Sequence, residues 1–212
     1  MCFSAQVSLA TFGMGAGFSG LVALLPKPED KVIGIFLGFV SLMQLIEYGL
    51  WKIPFCNKTN KLLTQLAILL NHAQPLILIL ASSLYFPSKT IILAIMALTY
   101  TISMILYSSQ YTRLLPQGKC TLKDPHSSHL RWTWNELSGY PFFYMLFIGM
   151  FATVPIIAFQ DKAIGFTMSV LAVIGWTVSA VLYPSQVVGA LWCFFTAFGP
   201  GFYYWLRQVN AL

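Results

Sequence analysis

Long runs without a charged side chain dominate the chain: residues 1–26, 62–88, 90–112, 137–160 and 163–206 hold no Asp, Glu, Lys or Arg. A bilayer span needs about 20 apolar residues, so each run is long enough to cross, and the last is long enough to cross twice. With the apolar stretch after Lys31, the pattern predicts seven helical spans, at about 5–25, 32–52, 62–86, 89–108, 140–159, 163–183 and 186–206. In Pro26-Lys27-Pro28-Glu29-Asp30-Lys31 two prolines stop the first helix, and carboxylates sit at the positive end of the second. Phe86-Pro87-Ser88-Lys89, Gln160-Asp161-Lys162 and Tyr183-Pro184-Ser185-Gln186 supply later breaks. The sizeable loop 109–139 is too polar to cross and long enough to cover one mouth of a bundle. The expected fold is all-α: a polytopic, seven-transmembrane-helix bundle forming a single domain over 1–212.

Composition agrees with that pattern. Hydrophobic residues make up 58% and charged residues only 8%, with a mean hydropathy of +0.74, against about 25% charged residues in ordinary soluble chains. The net charge of +6 sits in short loops rather than in dense Lys/Arg runs, so no nucleic-acid partner is expected; the lipid bilayer is. Loops on the N-terminal side hold Lys52, Lys58, Lys61, Arg113, Lys119, Lys123 and Arg131, against Lys27, Lys31, Lys89, Lys162 and Arg207 opposite. Basic residues favour the cytoplasm, which predicts a cytoplasmic N-terminus and loop 109–139, and an unmodified Asn57-Lys58-Thr59 sequon. Four cysteines without paired spacing predict no disulfide framework, and either a reducing environment or indifference to redox. With no basic n-region ahead of it, the first apolar segment is expected to be retained as a helix.

Close helix packing in lipid needs small residues. The stripes Gly13/Gly17 and Ala16/Gly20 in span one, Gly34/Gly38 in span two, and Gln186, Ala190, Cys193, Ala197, Gly201 and Tyr204 in span seven are expected to be seams. Pro75, Pro155 and Pro200 interrupt helical bonding within spans. Aromatic clusters at 140–144 and 202–205, and Arg131-Trp132-Thr133-Trp134-Asn135-Glu136, read as interfacial anchors. Thr99, Ser103 and Gln110 share one side of span four, fitting a polar interior or ordinary hydroxyl-to-backbone bonding.

Against this background Glu47 is the carboxylate placed well inside a span, where insertion costs about 2.5 to 3.5 kcal/mol. Gln44, Glu47 and Trp51 fall within roughly 60° of arc on one helix face. Span three contributes Asn71-His72-Ala73-Gln74-Pro75 near mid-membrane, and His72 is expected to approach Glu47, directly or through water. The start, Met1-Cys2-Phe3-Ser4-Ala5, places Cys2, Ser4 and Ser8 at the same end as Glu47. Loss of Met1 would leave an amine and a thiol on Cys2, suited to metal binding, nucleophilic attack or acylation. Cys2, Ser4, Gln44, Glu47, Trp51, Asn71, His72 and Gln74 are therefore the expected ligand-binding residues, with Cys2, Glu47 and His72 the candidate metal ligands. A weaker zinc candidate is Cys120, Asp124, His126 and His129, whose spacing matches no standard finger.

An opening of Met-Cys-Phe-Ser-Ala-x-x-Ser, followed in the second span by Gln-x-x-Glu-x-x-x-Trp, resembles a group of uncharacterised multi-span membrane proteins that begin MCFSA. The resemblance covers Cys2, Phe3, Ser4, Ala5, Ser8, Gln44, Glu47 and Trp51; Met43 and Tyr48 stand where that group often has Gln and Gly. It implies that both patches belong to one motif set, and implies no activity. The leading expectation is a cytoplasm-facing polar pocket, walled by spans one to three, that binds or transports a small solute or ion. Two alternatives stand beside it: a membrane-embedded, metal-dependent enzyme using Cys2, Glu47 and His72, and a structural or assembly protein whose polar residues only pair helices. No cofactor is identified by sequence.

Overall fold

The computed structural model describes residues 4–114, 120–124, 129–132, 134, 140–182 and 185–209. The chain is all-α, with seven α-helices among these residues: α1 (Ala5–Ala23), α2 (Pro28–Lys52), α3 (Lys58–Tyr85), α4 (Thr90–Leu114), α5 (Tyr140–Ala158), α6 (Lys162–Leu182) and α7 (Ser185–Gln208). A single 3-10 turn, Pro87–Lys89, joins α3 to α4. Between α4 and α5 a short antiparallel ladder pairs β1 (Leu122–Lys123) with β2 (Leu130–Arg131), Leu122 facing Arg131 and Lys123 facing Leu130.

Helix starts follow local chemistry. Ser4 accepts from the Val7 N–H at 3.2 Å and caps α1. Pro28 opens α2, and the Lys27 N–H donates to Asp30 at 3.0 Å. Asn57 accepts from the Asn60 N–H at 2.9 Å, so α3 begins at Lys58, a polar turn earlier than hydropathy alone indicates. Likewise α4 continues past residue 108 to Leu114.

Among the described residues, α2, α3, α6 and the segment Pro87–Ser109 are long and apolar enough to cross a membrane. Large apolar side chains face outward on these helices, including Leu69, Leu80, Ile91, Ile95, Leu98 and Phe166, as expected where the surrounding medium is hydrocarbon rather than water. Helices α2 and α3 form the centre: α2 packs on α1, α3 and α7, and α3 also on α4 and α5, while α6 packs on α5 and α7.

The α1–α2 seam is in a different phase from the glycine stripe. α1 buries Ser8, Thr11, Gly15, Ser19 and Val22. Added Cβ atoms at Gly13, Gly17 and Gly20 would meet nothing within 4 Å, so that stripe faces outward. At Gly15 a Cβ would collide with Ser41 Oγ and approach the Ala197 carbonyl at 3.1 Å, and at Gly34 one would lie 2.6 Å from the Ala23 nitrogen. Gly34, Ala197 and Gly201 thus sit in seams as expected, the last facing Phe18; Gln186 and Ala190 have side chains outside the described residues.

The α1–α2 turn is a charged clasp. Asp30, fully buried, accepts from Tyr203 Oη at 2.6 Å and from Arg207 at 3.1 and 3.2 Å. Glu29 accepts the backbone N–H groups of Gln160 and Asp161 at 2.9 and 3.0 Å. Lys27 Nζ lies 2.8 Å from Asp161, whose carboxyl is held below its ordinary range first by that hydrogen bond and then by the Ile164 N–H. One six-residue turn therefore fastens the α5–α6 loop and the end of α7.

At the opposite end Cys56 and Cys120 form a disulfide across a sequence separation of 64. This overturns the expectation of unpaired, reduced cysteines: two loops far apart in sequence dock side by side, which spacing does not reveal. It also removes Cys120 as a zinc-ligand candidate, because a disulfide sulfur has no thiolate to give; His126 of that set lies outside the described residues. Asn60 Nδ2 donates to the carbonyls of Ile53 and Thr121 at 3.0 and 2.9 Å, and the Thr121 N–H donates to Thr64 Oγ1 at 3.0 Å. The cap so tied buries Trp132 and Trp134 completely, stacked with ring centroids 4.6 Å apart. They are cap core, not interfacial anchors; Thr133, Asn135 and Glu136 lie outside the described residues.

Candidate functional site

The polar residues singled out in spans two and three are all sealed in. Gln44, Glu47 and Gln74 are fully buried, and Asn71 and His72 almost so. At Glu47 the α2 face turns toward α7 and α3, because the helix packs on both. Gln44 Nε2 donates to Glu47 Oε2 at 2.9 Å, one turn apart on the same face. From α3, Gln74 Nε2 reaches the Cys193 thiol of α7 at 3.8 Å, and the Glu47 carboxylate lies close enough for its charge to act on that thiol. Gln44, Glu47, Gln74 and Cys193 thus form one group at the α2–α3–α7 junction.

His72 belongs to another group. At about 100° per residue, His72 and Gln74 project from nearly opposite sides of α3. The His72 ring stands edge-on to Phe143 and Tyr107, at centroid distances of 4.9 and 5.1 Å, and Tyr107 stacks on Phe143 at 4.5 Å. Neither ring nitrogen of His72 has a hydrogen-bonding partner among the described residues, so no direct bond joins it to Glu47. Asn71, between the two groups, donates to Tyr144 Oη at 3.2 Å. From α4, Tyr100 Oη donates to the His72 carbonyl at 2.9 Å, next to the Asn71 carbonyl that Pro75 deprives of its helical partner.

The other expected site residues fare differently. Cys2 lies outside the described residues. Ser4 is a helix cap, its hydroxyl occupied by the Val7 N–H, and is not part of either polar group. Ser8 is fully buried on α1, which packs on α2 and α7. Trp51 is half-buried against the core, with its indole N–H enclosed and unpartnered among the described residues. Thr99 is exposed and accepts, through its carbonyl, the Ser103 hydroxyl at 3.1 Å, ordinary backbone bonding rather than a polar lining. Among the described residues no three His, Cys, Asp or Glu side chains gather to hold a metal.

Sequence reading missed Tyr100, Tyr107 and Tyr144. The first two, with Leu93, recur every seventh position and are the buried stripe of α4; that spacing was the available signal. The open space in the bundle is elsewhere. A cavity of about 330 Å³ lies among α2, α3, α5, α6 and α7, lined by Phe36, Leu37, Leu78, Phe151, Trp192 and Tyr203 with others, and includes none of the expected site residues.

Comparison with protein families, curated proteins and solved structures finds no match. The fold and these groups define an all-α protein with at least four helices suited to a bilayer and a packed polar interior.

Proposed function

We propose that all seven helices cross the membrane and that the chain binds a small solute or ion at Glu47, whose carboxyl also passes protons down their electrochemical gradient. The observation that carries this reading is the complete burial of Glu47, bonded to Gln44 and within electrostatic reach of the Cys193 thiol that Gln74 meets. A carboxylate inside a span costs several kcal/mol unless matched, and the Oε1 of Gln74 is buried with no hydrogen-bonding partner among the described residues. A buried orphan of that kind costs about 1 to 3 kcal/mol, which a donor-rich, cationic or protonated occupant offsets. His72 and Asn71 serve the second polar group and its aromatic wall.

The disulfide supports an orientation opposite to that drawn from loop charges. The charge margin is two residues, whereas a disulfide persists in the periplasm, the secretory lumen or outside the cell and is rare in the cytosol. The N-terminus, the Cys56–Cys120 cap and Asn57 are accordingly on the outer side, the C-terminus is cytoplasmic, and Glu47, five residues from the cap end of α2, lies in the outer half of the membrane.

Proteoliposomes loaded with the pH dye pyranine, under a potassium diffusion potential, test the site. Wild type and Glu47→Asp acidify the lumen and Glu47→Gln does not; equal traces from protein-free and wild-type vesicles overturn the reading. For orientation, a C-terminal green fluorescent protein is bright and a C-terminal alkaline phosphatase inactive; the reverse pair restores a cytoplasmic N-terminus.

A further inference from the structure

The cavity of about 330 Å³ falls in the usual range of small-molecule sites, about 300 to 1,000 Å³, and its walls are mostly apolar, with Thr167, Thr196, Trp192 and Tyr203 as the lining residues that carry polar side-chain atoms. Thr196 lines it, yet its hydroxyl donates to the Trp192 and Cys193 carbonyls at 2.9 and 3.0 Å. Tyr203 also lines it, and its hydroxyl is spent on Asp30. Gly175 and Gly199 keep two walls low: a Cβ there would first meet Trp192 at 3.4 Å and Leu37 at 3.6 Å. The rim residues Leu171, Ile174, Phe198 and Phe202 are exposed apolar side chains on α6 and α7, so the opening faces sideways, where α6 meets hydrocarbon.

Its length matches one leaflet. The lining runs from Thr167 to Gly175 on α6 and from Trp192 to Leu206 on α7, about 12 and 21 Å at about 1.5 Å per residue, while half the hydrocarbon core is about 15 Å. One end, at Tyr203 and Leu206, adjoins the Asp30–Arg207 clasp at the membrane surface. The other, at Leu78 and Trp192, stops at the neighbours of Gln74 and Cys193 near mid-membrane.

We infer that this cavity is a lipid site holding one acyl chain of a phospholipid from the leaflet on the α1–α2 turn side, entered between α6 and α7, with the chain end against Leu78 and Trp192. The inference rests on the proposed membrane crossing of α6 and α7 and is independent of the role given to Glu47.

The test is photo-crosslinking in nanodiscs of phosphatidylcholine carrying a diazirine either at the acyl terminus or near the glycerol. The terminal probe labels the stretches around Leu78 and Trp192, and the glycerol-proximal probe those around Tyr203 and Leu206. Gly199→Leu and, separately, Ala172→Phe, at lining positions on α7 and α6, fill the cavity and reduce this labelling about tenfold, an affinity loss of about 1.4 kcal/mol, while labelling of Ile91, Ile95 and Leu98 on outer α4 is unchanged. Glu47→Gln leaves the pattern intact. Labelling by the terminal probe that is no stronger in the cavity than on outer α4, or that survives in whichever filled variant elutes as folded protein, overturns the inference.

Discussion

Tyr107 joins the cap to the polar interior: its hydroxyl donates to the Trp134 carbonyl at 2.7 Å while its ring stands against His72 at 5.1 Å. Tyr107→Phe keeps the ring and orphans a buried carbonyl, at a cost of about 1 to 3 kcal/mol. Hydrogen exchange should rise in residues 129–134 of the variant and stay unchanged in α1 and α2; unchanged protection of the cap rules out the coupling.

Glycines on the two sides of the α1–α2 hairpin should behave oppositely. Gly34→Leu forces side-chain atoms into the Ala23 backbone and should destabilise by about 1 to 3 kcal/mol or more. Gly13→Leu enters open space and should leave the detergent melting temperature within a degree or two of wild type, about the scatter of neutral surface changes. Similar losses from both would place the helix in another rotation.

Asp30→Asn removes the charge that both Tyr203 and Arg207 meet. Breaking a buried pair by deleting one partner costs about 3 to 5 kcal/mol, and the companion change Arg207→Met should restore part of it. Thermal unfolding of the single and double variants measures the coupling; additive losses deny it.

His129 makes the cap acid-sensitive. Burial is the main cause that lowers its pKa below 6.5, the N-terminus adding to it, against a raising influence from Asp124. The unfolded cap binds the proton more readily than the folded one, so stability is complete above about pH 6.5 and falls as pH drops below that value toward the folded pKa. Cap proteolysis at pH 7.5 and 5.5 should differ in wild type and not in His129→Gln.

The helical frame was legible because uncharged runs and prolines mark it directly: Ala5, Lys52, Tyr85 and Ala158 lie within a few residues of the expected boundaries. The same approach missed the rotation of α1, because hydropathy treats glycine as interface while the chain puts Ser8, Thr11 and Ser19 there instead. Glu47, Gln44, Asn71, His72 and Gln74 were visible as polar residues in apolar company. Their division into two groups depends on which neighbour each side of α3 meets, and Cys193 and Tyr107 come from helices far along the chain. The Cys56–Cys120 bond was hidden for the same reason.

Assembly order gives the acidic turn a particular importance during biosynthesis. Asp30 is made 177 positions before Arg207, and Glu29 131 positions before the Gln160 N–H it binds. A nascent chain therefore carries Glu29 without its partners until residue 161 is made, and Asp30 without Tyr203 and Arg207 until translation has almost ended. Premature termination between Asp161 and Tyr203 leaves Glu29 matched and Asp30 without the hydroxyl and guanidinium it meets in the complete fold, so the two adjacent carboxylates report on different stages of one synthesis.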